Sequence, residues 1–146
     1  MKLLSAFVLV LVLAKGCNSS ELRKESENIS FEYEATTRGN YAKIIAKQDT
    51  IFTIKGRKGE AVEKKLSRSD WNEMLDLLAK IDKNNIQNLK APTEKRFYDG
   101  AMIASLTVIH GKDTYKSTSF DHGTPPKEIE KLVEKIIAAS DMQKED

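Results

Sequence analysis

Residues 29–35 read Ile29-Ser-Phe31-Glu-Tyr33-Glu-Ala35, apolar and polar side chains in strict alternation. A period of two over seven positions is the pattern of a strand with one face on a core and the other in water. Such a strand needs hydrogen-bonding neighbours and a cover for its apolar face, and the rest of the chain offers both. Arg38-Gly39-Asn40 turns the chain into a second strand, Tyr41 to Lys47, centred on Ile44 and Ile45. Thr50 to Ile54 (TIFTI) is β-branched and aromatic, the composition of a third. Gly56-Arg57-Lys58-Gly59 joins it as a hairpin to Glu60–Leu66, whose Glu63, Lys64 and Lys65 suit an edge strand. Turns this short force antiparallel pairing, because parallel neighbours need a crossover of a dozen or more residues.

The cover comes from two amphipathic stretches. Ser67, with Asp70 three residues on, resembles a capping box. Trp71, Met74, Leu75, Leu78 and Ile81 then form one apolar stripe, which places Trp71 in the core. Thr124 can cap a second helix with Pro125 at its first position, and Ile129, Leu132, Val133, Ile136 and Ile137 make its stripe. Between the helices lie a loop, Ala91–Gly100 (APTEKRFYDG), a strand from Ala101 to His110 and, after Gly111-Lys-Asp113, a strand from Thr114 to Phe120. The expected fold is α+β, an antiparallel sheet of five or six strands with helices near 68–82 and 125–139 packed on one face. It forms one domain over residues 29–140, followed by a polar tail, 141–146.

Ahead of that domain, Lys2 precedes an apolar run from Leu3 to Ala14, and Ala14 and Gly16 stand before Cys17, the only cysteine. About a dozen apolar residues make a secretory signal segment rather than a membrane span, which takes roughly 20. With Cys17 directly after it, residues 1–16 resemble the lipobox signal of bacterial lipoproteins, whose cysteine is acylated after cleavage. That resemblance implies a lipid anchor at Cys17. It also implies an outer-membrane protein facing the periplasm or the cell surface, since Asn18 rather than Asp follows the cysteine. Asn18–Asn28 (NSSELRKESEN) has Leu22 as its single apolar residue and reads, with Cys17, as a flexible tether over 17–28. Without Lys2 and Lys15 the remaining 130 residues carry 22 basic and 22 acidic side chains. That balance gives no electrostatic reason to expect nucleic acid.

Catalytic patterns are sparse. Gly-x-Ser-x-Gly, a Walker-type glycine loop and His-Glu-x-x-His are absent from the sequence. His110, His122, Asp113 and Asp121 would converge on a cation only if strands paired around Gly111 in one particular way. The plainer reading makes both histidines turn residues, with no metal, no cofactor and no enzymatic activity. Arg57-Lys58 and Lys64-Lys65 are interrupted by Glu60 and Glu63 and read as a solvated hairpin. Arg96-Phe97-Tyr98-Asp99 stands apart because no periodicity dictates its burial. Phe97 and Tyr98 are either plugs for the sheet's end or aromatic anchors for a partner, with Arg96 and Asp99 giving charged hydrogen bonds at the rim.

From Leu66 to Ile137 the order is a helix opening Ser-x-x-Asp-Trp with paired leucines, then a Pro-containing loop ending Asp99-Gly100. A strand, a glycine turn and a second strand ending Phe120-Asp121 follow, and Pro125-Pro126 precedes a closing amphipathic helix. This order resembles the emfourin family, small secreted inhibitors of thermolysin-like metalloproteases. The resemblance implies a non-enzymatic binding module acting on a secreted or envelope protein, with a metalloprotease among the candidates. A structural accessory subunit of an envelope complex is the alternative.

Overall fold

The computed structural model describes residues 19–142, so the signal segment and Cys17 lie outside the described residues. The elements are α1 (Ser19–Lys24), β1 (Ile29–Thr36), β2 (Tyr41–Ala46), β3 (Thr50–Lys55), β4 (Val62–Lys65), α2 (Arg68–Ala79), β5 (Ile103–His110), β6 (Asp113–Lys116), β7 (Phe120–Asp121) and α3 (Glu130–Ala139). The strands form one antiparallel sheet in the order β4-β3-β2-β1-β5-β6, and β7 pairs with β5. The architecture is α+β, as the alternation at residue 29 implies. β1 is paired along its whole length with β5, from Ile29↔His110 to Thr36↔Ile103, and it pairs with β2 on its other edge.

One face of the sheet is apolar and closed. Ile29, Phe31, Tyr33 and Ala35 of β1 lie on it with Ile44, Ile51, Leu106 and Val108, all buried. Trp71, Met74, Leu75 and Leu78 of α2 cover it together with Leu132, Val133, Ile136 and Ile137 of α3. The Phe31 and Trp71 rings meet at 5.6 Å between centroids, and Lys135 of α3 binds Asp70 of α2 at 2.8 Å. The opposite face is wet. Glu32 pairs with Lys43 at 3.3 Å, and the Tyr41 hydroxyl donates to Glu34.

The structure corrects the expected boundaries in several places. Residues 19–28 are not a loose tether. α1 buries Leu22, Arg23 makes two hydrogen bonds to Asp76 of α2, and a short 3₁₀ turn follows at Ser26–Asn28. Composition counted one apolar residue here. One is enough when a finished helix already offers the surface it docks on.

The first helix ends at Ala79 rather than 82, and the Asp82 carboxylate caps a 3₁₀ turn, Lys83–Asn88, that buries Ile86. The second begins at Glu130 rather than 125. Pro126 disfavours the helical region for Pro125, so the buried pair stays outside the helix and a turn over 127–129 leads into it. The final strand is split. Ser117 accepts the Leu106 N–H through its hydroxyl and donates its own N–H to the Leu106 carbonyl, so the ladder is interrupted between β6 and β7. The tail also begins later than expected, because Met142 is buried with the core.

Candidate functional site

β7 contributes only two residues, and the second organises one end of the molecule. Asp121 is 1% exposed. Its Oδ2 accepts from the Thr93 hydroxyl at 2.5 Å and the Lys95 N–H at 2.9 Å. Its Oδ1 accepts from the Arg96 N–H at 2.9 Å and from Arg96 Nη1 at 3.1 Å. Burial alone would push this carboxyl up, but the donors from Thr93, Arg96 and Lys95 outweigh it and bring it down to about 2. The carboxylate therefore stays ionised while buried, with its charge answered by Arg96.

Arg96 is fastened just as firmly. Beyond Asp121, its Nη1 donates to the Thr93 carbonyl at 2.7 Å and its Nε to the Ser119 hydroxyl at 3.2 Å. Its guanidinium lies 4.3 Å from the centroid of the Phe97 ring, a cation–π contact. Lys95–Tyr98 is a 3₁₀ turn held from below by Asp121. Asp99 closes it with a left-handed backbone, φ 60°, and the Gly100 N–H returns to the Lys95 carbonyl.

The four residues singled out in the sequence thus share one turn but divide the work. Phe97 and Tyr98 point outward, 70% and 72% exposed, so neither plugs the sheet's end. Arg96, expected at a contact rim, has its guanidinium engaged inside the loop, and the Asp99 backbone makes the turn. Ile103, also exposed, pairs across the ladder with Asp121, which brings a third apolar side chain to the same end of the sheet.

Beside β7, His122 Nδ1 lies 2.8 Å from the Tyr33 hydroxyl. Burial raises the Tyr33 phenol, and a hydrogen bond with the Gly123 backbone offsets this only in part. The phenol therefore stays protonated beside the imidazole. A cleft of about 330 Å³ opens here, lined by Tyr41, Lys55, Met102, His122 and Met142 among others.

The convergence of both histidines and two aspartates on a cation does not occur. His110 pairs with Asp113 at one end of β5, while Asp121 and His122 lie at the other. The His110 ring is itself bracketed by Glu25 at 2.5 Å and Lys83 at 2.8 Å. Among the described residues no three His, Cys, Asp or Glu side chains are grouped to hold a metal ion.

Sequence reasoning missed Asp121 as an organiser and missed the Tyr33–His122 contact. Both are long-range pairings, and the only local sign was an acid directly after Phe120, the apolar end of a strand. Comparison with protein-family models, curated proteins and solved structures finds no match to this chain.

Proposed function

We propose that this protein is a non-enzymatic binding module, held at a bacterial membrane by a lipid on Cys17, that presents Phe97 and Tyr98 to a secreted or envelope protein. The observation that carries the reading is the pairing of two well-exposed aromatic rings with a loop pinned by a buried ion pair. Large rigid side chains on a fixed turn lose little conformational entropy on binding, which is how aromatic anchors act in interfaces. The sequence order shared with the emfourin family makes a thermolysin-like metalloprotease the first partner to test.

The test is co-purification of the full chain from detergent-solubilised native membranes, beside the variants Phe97→Ala and Tyr98→Ala. A captured protein whose binding weakens at least tenfold in either variant, with stability unchanged, supports the reading. Capture unaffected by both variants overturns the assignment to this turn. A stable multi-protein complex points to the accessory subunit, and a lack of thermolysin inhibition at micromolar protein removes the inhibitor version. Mass spectrometry of the native protein tests the anchor directly, with an acylated amino-terminal Cys17 as the expected result.

A further inference from the structure

His110 stands opposite buried Ile29 at the end of β5, and its ring joins two segments that are remote in sequence. Nε2 lies 2.5 Å from the carboxylate of Glu25, which follows α1. Nδ1 lies 2.8 Å from Nζ of Lys83, the first residue of the 3₁₀ turn Lys83–Asn88. An ammonium can only donate, so Nδ1 accepts from Lys83. A neutral imidazole then carries its one proton on Nε2 and donates it to Glu25. The two contacts together fix both the tautomer and the charge, and the ring in this arrangement is neutral.

The other groups around the ring leave it as the one that changes with mild acid. Asp113 is its partner in the β5–β6 ladder, where side chains directly opposite have Cβ atoms about 4.5–5.5 Å apart. Lys112 stands in the exposed turn between them. Tyr115 of β6 carries Lys83 Nζ over its ring, 5.2 Å from the centroid. The neighbour from β1 is Ile29, which has no charge. Carboxylates ordinarily stay ionised above about pH 5, whereas an imidazole gains its proton between about pH 8 and 5. A second proton would sit on Nδ1. That nitrogen could then no longer accept from Lys83, and cation would face cation, while the Glu25 contact would become charge-assisted.

We propose that His110 is a pH-sensitive clamp that shifts its hold from one segment to the other. When neutral, it ties residues 83–88 to the sheet through Lys83. When protonated, it releases Lys83 and grips residues 19–28 through Glu25. Both segments have little else to fix them. The 83–88 turn is held by buried Ile86 and by the Thr118 N–H on the Ile86 carbonyl at 3.1 Å. The 19–28 segment is held by Leu22, by Arg23 on Asp76, and by the Gly111 N–H on the Asn28 carbonyl at 2.8 Å. Glu25 follows Cys17 by eight residues, so mild acid tightens the segment that links the domain to its anchor. That last connection rests on the proposed lipid, whereas the clamp does not.

The test is amide hydrogen exchange of the full chain in non-ionic detergent at pH 8 and pH 5.5, corrected for the intrinsic effect of pH on exchange. Residues 83–88 should exchange at least threefold faster at pH 5.5, and residues 19–28 at least threefold slower. His110→Gln keeps one donor and one acceptor but takes up no proton, so both changes should vanish. Lys83→Met should remove the change over 83–88 and keep the tightening over 19–28. The readout needs no lipid on Cys17, so loss of the anchor reading would leave it intact. Equal corrected exchange at the two pH values in the parent overturns the proposal. So do pH-dependent changes that persist in His110→Gln, or loosening of 83–88 that persists in Lys83→Met.

Discussion

At the β7 end, a buried carboxylate receives donors from Thr93, Lys95 and Arg96, and the turn it holds leaves the Phe97 and Tyr98 rings exposed. At the α2 end, Lys65 and Arg68 have no ion-pair partner among the described residues, and the Trp71 N–H is buried without a hydrogen-bond partner. The difference teaches that an ionic residue in this protein is not by itself a recognition residue. Arg96 is structural because Asp121 closes over it, while Arg68 is exposed and has no ion-pair partner among the described residues. Burial and partner count separate the two, and residue type does not.

The sharpest way to break this comparison is Asp121→Asn. It leaves the Arg96 guanidinium buried against a neutral amide, and removing one partner of a buried pair costs about 3–5 kcal/mol. Urea denaturation should show that loss, and a change below about 1 kcal/mol would mean the Asp121–Arg96 pair does not hold the turn. The next largest effect belongs to α1. Leu22→Ala removes its one buried apolar side chain and should cost about 2–3 kcal/mol. Faster hydrogen exchange over residues 19–28 should accompany it, whereas a true tether would show neither change.

Acid gives a third test. The Asp121 carboxyl lies at about 2 against an ordinary aspartate value of 3.8, so its folded value is depressed. Its contribution is complete above the unfolded value and is lost as pH falls from about 4 through 2. The amount is about 2 kcal/mol, because a tenfold change in proton affinity is worth roughly 1.4 kcal/mol. Stability compared at pH 5 and pH 2 should show this loss in the parent and lack it in Asp121→Asn. The smallest expected effect is on the exposed rings. Phe97→Ala and Tyr98→Ala should each change stability by less than about 0.5 kcal/mol, as surface substitutions do. A loss of about 3 kcal/mol, read from the same denaturation curves, would place those rings in the core.

The alternation Ile29–Ala35, the stripe Trp71-Met74-Leu75-Leu78 and the stripe Leu132-Val133-Ile136-Ile137 were legible because periodicity is a local property. A period of two or of 3.6 names both the element and its buried face. On that basis the sequence by itself determined an antiparallel α+β layer structure and the loop, Ala91–Gly100, that carries Phe97 and Tyr98. Only the tertiary structure decided which charges are internal. Asp121 meets Arg96 across 25 residues, Glu25 meets His110 across 85, and Leu22 has a place to dock only once α2 is formed. Such pairings depend on where the finished sheet brings distant segments together, and no spacing along the chain encodes that.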